Sequence, residues 1–302
     1  MSTIAILLVT ISAVVHAFWN LLGKRQNPSS AFFFIASVFA ALCFIPLLFV
    51  YRATFASIPG RVWLWVGLTS IFETVYYVGL AGAYRRGDLS VTYPLVRALP
   101  VVLVAILTTA LSLGKPLSLA GAVGILLVAL GCLVLPLSNL RQFHLDKSLV
   151  ACYLLAGMAA IGTTGYTLVD NQALMDLQAA PGIGLSRIEI AFFYLALCSL
   201  TITLVMGLYI LFSRSERAEL TKTWRTGKGM AFITGLLIVG TYGLVLAAME
   251  YAENVSYVAA FRQLSIPLGA VLGILVQHEP SYPTKIVSIG IIFVGILLIM
   301  LA

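Results

Sequence analysis

Charge is what this chain has least of. Of its 302 residues 10% are charged and 61% hydrophobic, whereas soluble globular chains run nearer a quarter charged and about half apolar. So few charges cannot cover a water-facing surface, and the composition excludes a soluble protein in favour of a membrane one. Histidine is also scarce, with His16, His144 and His278 alone, so a metal site is not expected. There is no HExxH, no GxSxG, no Walker Gly-Lys-Ser/Thr loop and no paired-carboxylate cluster, hence no enzyme, catalytic residue or cofactor is expected. The cysteines, Cys43, Cys132, Cys152 and Cys198, show no CxxC spacing and read as small buried hydrophobes. The net charge of +7 contains no Lys/Arg run interleaved with aromatics, which removes nucleic acid from the expected partners. Its densest part, Arg214 to Lys228, reads as a juxtamembrane loop. Met1-Ser2-Thr3 carries no positive charge and no small-residue cleavage site follows the first apolar run, so that run reads as a retained span, not a signal peptide.

What remains is a succession of apolar runs. About 20 such residues cross a bilayer as a helix, and the chain divides into ten segments of that kind: Ile4–Gly23, Ala31–Tyr51, Val62–Tyr84, Leu89–Leu113, Leu117–Leu137, Ser148–Asp170, Leu185–Phe212, Gly229–Glu250, Val255–Gln277 and Tyr282–Leu301. Ser138–Lys147 separates five from five, giving halves 1–140 and 141–302. Sliding one half over the other by 164 aligns Gly79-Leu80 with Gly243-Leu244 and Pro116 with Pro280, and a slide of 165 brings Arg97 onto Arg262. A duplicated unit with an odd number of spans must cross in opposite senses. The expected architecture is therefore an all-α integral membrane protein, ten transmembrane helices as two inverted five-helix repeats around a central cavity. Odd-numbered connections hold 12 Lys/Arg and even-numbered ones 4, which read literally by the positive-inside rule puts both termini outside; five of the 12 come from one connection, so the reading kept is that the termini share a side.

The fourth span is the costliest for a bilayer. Pro94, Arg97 and Pro100 stand inside it; each proline removes a backbone donor, and an arginine at the bilayer centre costs about 2.5–3.5 kcal/mol even on lenient scales. Hydrocarbon tolerates such a segment only where protein or a water-filled cavity covers it, so the expectation is a broken, polar helix facing a pocket, with Pro94, Pro100 and Pro267 as hinges. Arg97 has two open readings: an anchor for a substrate carboxylate, or a structural partner of Glu73, the one acid near the centre of a span. The other expected pocket residues are Tyr77, Tyr93, Tyr166, Tyr242 and Tyr257, which give apolar area with a hydroxyl handle, with His16, Trp19, Asn20 and Arg262. His16 and Asn20 share one helical face, as do Tyr93 and Arg97. Asp170 and Glu250 stand at predicted span ends and read as solvated. Gly269 and Gly273, with Gly79/Ala83 and Gly121/Gly124/Gly131, read as packing positions.

These residues carry a family resemblance. Ten spans in about 300 residues, five plus five, resemble the EamA-like branch of the drug/metabolite transporter superfamily. Gly87-Asp88-Leu89-Ser90 with Tyr93-Pro94-Leu95, Arg97 and Pro100 is similar to that branch's fourth-span pattern, His16-Ala17-Phe18-Trp19-Asn20 with Lys24 to its first, and Tyr166-Thr167-Leu168-Val169-Asp170 to its sixth. Lys115-Pro116 departs from the Gly-Glu-Arg-type ending common after the fourth span. The resemblance implies a secondary carrier of small polar metabolites, often an exporter of amino acids, multi-pass in a bacterial inner membrane. It also implies cytoplasmic termini, against the charge count. Partners would be a small-molecule substrate, the lipid bilayer and a coupling proton or ion; the oligomeric state is not legible. Two other classes are weighed beside it: a membrane enzyme acting on lipid-linked substrates, and a channel.

Overall fold

A computed structural model describes residues 1–23, 29–86, 89–135, 147–277, 281 and 283–302, with backbone alone at 18–23, 89–95, 147–149, 273 and 276–277. Among the described residues the regular structure is entirely helical: α1 Thr3–Gly23, α2 Ser30–Val50, α3 Gly60–Tyr84, α4 Leu89–Ala110, α5 Leu119–Val134, α6 Lys147–Gln178, α7 Arg187–Phe212, α8 Arg214–Thr226, α9 Lys228–Met249, α10 Val255–Phe261, α11 Ser265–Gln277 and α12 Pro283–Leu301. Seven stretches of these are long and apolar enough to cross a membrane, and three shorter apolar ones lie in α1, α4 and α5. Helices dominate because hydrocarbon offers no partner to a backbone N–H or C=O, and a helix pairs them within one segment. The first-turn donors that a helix cannot pair are met by side chains. Ser29 accepts from Phe32 N, Ser118 from Gly121 N and Ser213 from Glu216 N, and Ser186 forms a capping box with Glu189.

Three sequence expectations change. The fourth span is not broken: α4 runs without interruption through Pro94 and Pro100. The break lies in the ninth span, where Arg262–Leu264 form a 3-10 turn between α10 and α11, just before Pro267. The sixth span does not end at Asp170, because α6 continues two turns to Gln178 with Ala173, Leu174 and Leu177 buried on one side. The segment after α7, expected as a loop, is the amphipathic helix α8, whose Leu220 packs against the core while its basic residues stay outside.

Small residues set the closest approaches. α3 packs along α6, where a Cβ on Gly79 would stand 2.7 Å from the Ala159 nitrogen and one on Gly162 2.6 Å from the Tyr76 nitrogen. α5 packs on α12 with Gly124 and Gly295 each facing the other's carbonyl. Gly269, by contrast, faces open space and is not a packing position, and Cys43 is exposed while the other cysteines are buried.

Several of the remaining neighbours come in matched sets. α3 lies on α6 as α1 lies on α9; α4 on α6 as α1 on α11; α2 on α9 as α3 on α7; α4 on α5 as α11 on α12. One face of the bundle is tied across these sets. Ser2 Oγ donates to the Tyr251 carbonyl (2.8 Å), Lys115 pairs with Glu253 (2.7 Å), and Arg61 pairs with Asp176 (2.9 Å). Gly114 makes one of these links possible: at φ 81°, it lets the Lys115 N–H reach the Glu253 carbonyl at 3.0 Å, where a Cβ would clash.

Candidate functional site

Helices α3, α4, α6 and the broken α10–α11 segment enclose a pocket lined by Tyr76, Arg97, Pro100, Thr163, Tyr166, Thr167, Arg262 and Gln263, with Val96, Val104 and Ala259 as apolar wall. Its empty volume is about 360 Å³ including its open mouth, yet it is narrow enough that the interior admits about one water-sized body. Arg97 comes from mid-α4 and donates through Nη2 to Ser265 Oγ (2.9 Å). That hydroxyl in turn donates to the Arg262 carbonyl (3.1 Å), so one serine joins α4 to the break. Gln263 Nε2 donates to the Ala259 carbonyl (3.0 Å), while its Oε1, together with the hydroxyls of Thr163 and Thr167, is buried with no partner inside the protein. Two guanidinium donors, one free amide acceptor and two free hydroxyls therefore converge on one space.

Behind the pocket wall runs a file of aromatic rings. Phe33 stacks on Tyr77 (centroids 4.8 Å), Tyr77 leans on Tyr76 (5.0 Å), Tyr76 meets Tyr166 edge-on (6.0 Å), and Tyr166 meets Tyr242 edge-on (5.5 Å). The Arg262 guanidinium sits 5.4 Å over the Tyr242 ring, a cation–π arrangement that holds its charge beside the pocket. The Tyr242 hydroxyl donates to Asp170 Oδ2. Asp170 Oδ1 accepts from Thr69 (2.5 Å) and Tyr194 (2.7 Å), and the side chain is fully buried. Asp170 thus joins α3, α6, α7 and α9, the opposite of the solvated span end read from the sequence. Glu73, also buried, lies within electrostatic reach of Asp170 and Arg262.

The structure brings Arg97, Arg262, Tyr166 and Pro100 to the pocket, with Tyr242, Tyr77 and Glu73 behind it and His16 within electrostatic reach of both arginines. Tyr257 goes elsewhere: its hydroxyl accepts from the Ser118 N–H (3.0 Å) at the start of α5. Pro267 is buried in α11 just beyond the break. The side chains of Trp19, Asn20, Tyr93 and Pro94 lie outside the described residues. Sequence reading missed Asp170, Thr167 and Gln263, and took Tyr77 for the wall that Tyr76 provides. A signal for Asp170 was present: Ala173, Leu174 and Leu177 continue the helical apolar spacing beyond it, which moves the acid away from the helix end.

Glu250, the other acid read as solvated, is 5% exposed at the end of α9. Gln178 donates to one carboxyl oxygen and the other has no partner. Burial pushes its pKa up to about 8, with the nearby Arg187 charge opposing the shift.

A crystal structure of a protein 17% identical in sequence superposes with a TM-score of 0.72, spanning 100% of this chain and 98% of its own, which shows a shared fold. No curated protein matches the chain. Residues 3–137, the first five apolar helices, match the model of the EamA-like transporter family. With seven stretches long and apolar enough to cross a membrane among the described residues, this match indicates a multi-pass membrane protein whose residues 3–137 are similar to the EamA-like transporters of the drug/metabolite type.

Proposed function

We propose that the protein is a secondary active transporter that moves small polar metabolites, amino acids or related compounds, by alternating access across a bacterial inner membrane, as an exporter. One observation carries the reading: Arg97 and Arg262, at corresponding places in halves 1–140 and 141–302, line the same pocket. Guanidinium groups grip carboxylates bidentately, while Gln263 Oε1 accepts a hydrogen bond from the same solute, and Thr167 and Thr163 add hydroxyl contacts. The matched helix pairs support two inverted five-span repeats, since exchanging each span for its counterpart in the other half turns α3–α6 into α1–α9, α4–α6 into α1–α11 and α2–α9 into α3–α7. A narrow pocket behind a face held by Lys115–Glu253 and Ser2–Tyr251 suits a closed stage of such a cycle, in which the halves must part for a solute to enter. A proton on Glu73 would change the charge facing Arg262 and serves as the coupling ion in this reading.

The test is flux of a panel of radiolabelled amino acids in proteoliposomes of purified protein. Arg97→Ala should cut flux by roughly 10–100-fold while the protein stays folded and monodisperse. Wild-type flux in that variant would remove Arg97 from the site. Glu73→Gln should flatten the dependence of flux on pH, and an unchanged profile would remove Glu73 from coupling.

A further inference from the structure

The helix α8 has no part in the pocket, and its charges are sorted by side. At 100° per residue, Arg214, Arg217, Lys222 and Arg225 fall on one side and Glu216, Leu220 and Thr223 on the other. The four basic residues are exposed. Glu216 is turned inward with a side chain 5% exposed, accepting from the Ala31 N–H (3.0 Å) at the start of α2 and pairing with Arg85 (2.7 Å) at the end of α3. Glu219, 3.7 Å from Lys222, is the one acid left near the outer side. A segment of mixed charge thus presents an outer face of nearly one sign.

Position decides what that face meets. A single residue, Ser213, joins α8 to α7, and a single residue, Gly227, joins it to α9. Both neighbours are membrane-length apolar helices, so α8 is clamped at the depth where they end and cannot swing out to meet a soluble partner. Its flanks carry interfacial residues: Trp224, 52% exposed and stacked on Phe39, with Lys228 Nζ 5.8 Å above its ring, and Phe212, 88% exposed. A basic face bordered by aromatic side chains at the end of a span is the arrangement that attracts anionic headgroups.

We infer that the outer face of α8 binds the anionic phospholipid headgroups of the leaflet against which it lies. Because Glu216 ties α8 to the start of α2 and the end of α3, headgroup binding stabilises the whole bundle and can be read as thermal stability. The experiment is a melting series of purified protein in neutral detergent with added phosphatidylglycerol or phosphatidylcholine. Phosphatidylglycerol should raise the apparent Tm more, and the difference should vanish in high salt. In R214Q/R217Q/K222Q/R225Q the half-saturating phosphatidylglycerol concentration should rise at least about tenfold, and R214K/R217K/R225K should restore wild-type behaviour. Equal shifts from both lipids, a full shift in the glutamine variant, or inorganic phosphate reproducing the effect without lipid would overturn the assignment. If the glutamine variant does not fold, the salt series on the wild-type protein decides: a phosphatidylglycerol preference that salt leaves unchanged is not electrostatic, and the inference fails.

Discussion

The fourth and ninth spans carry comparable cargo and fold differently. α4 holds Pro94, Arg97 and Pro100 and stays one helix; the ninth span holds Arg262 and Pro267 and breaks into α10, a 3-10 turn and α11. Proline number therefore does not decide where a membrane helix opens. A proline removes one donor and crowds the turn before it, but the helix reorganises only where other groups can take the freed carbonyls, since lipid supplies none. At the break, side chains of the turn add such donors beside the site of Pro267: the Gln263 amide donates to the Ala259 carbonyl and the Ser265 hydroxyl to the Arg262 carbonyl. α4 instead lends its guanidinium to that same serine. One span is a post, and the other is a joint that leans on it.

The largest test of this contrast is charge removal. Arg97→Ala and Arg262→Ala should each cut proteoliposome flux by roughly 10–100-fold, the range that follows from losing a hydrogen bond to a charged group. Arg262→Ala should lower Tm further than Arg97→Ala, because the guanidinium over Tyr242 holds the joint in place; equal Tm values for the two variants would erase the distinction. Next in size is the joint itself. Pro267→Ala restores a donor, so the ninth span should stiffen, with stability rising by about 1 kcal/mol and flux falling several-fold. Pro100→Ala in the unbroken post should change flux less. A larger effect at Pro100 would place the moving element in α4 after all.

Ser265→Ala cuts the link between post and joint and should cost about 1–2 kcal/mol. Combined with Arg97→Ala, its effect on stability should be less than additive by at least about 0.5 kcal/mol; simple additivity would mean the two spans do not act through that hydroxyl. The smallest effect concerns Glu250, just ahead of the joint. Its folded-state pKa of about 8 stands above the ordinary glutamate value of 4.5, so the folded protein keeps a proton that the unfolded chain releases. Stability is then full at low pH and falls as pH rises through that window to about 8. Glu250→Gln should remove this decline, as a melting series from pH 5 to 9 would register; an unaltered slope would assign the decline to another group.

Much of the fold could be read before the structure. Apart from the far end of α6, the limits of the apolar helices fall within a few residues of those read from the sequence, because in lipid a span is defined by a local demand for about 20 apolar residues with their own hydrogen bonds. What could not be read depends on neighbours. The break was placed in the wrong span because proline count is visible and carbonyl rescue is not. α8 was read as a loop because its helical character lies in a one-sided apolar contact through Leu220, with Glu216 satisfied by residues 185 and 131 positions away. The pocket was half legible: arginines inside spans announce themselves by their cost, whereas Tyr76 and Tyr77 are adjacent in sequence and only packing selects which faces the void.

By itself, then, the sequence determined the solvent of this protein, the approximate extent of its apolar helices and the presence of two arginines that bare lipid would not tolerate. The tertiary structure alone decided that Asp170 should be a hub, since its three hydroxyl donors arrive on α3, α7 and α9. The physical reason is one of range. Hydrophobicity and backbone pairing act within a single helix, but the meeting of polar groups from four helices depends on how closely glycine-lined surfaces such as Gly79 and Gly162 let those helices approach.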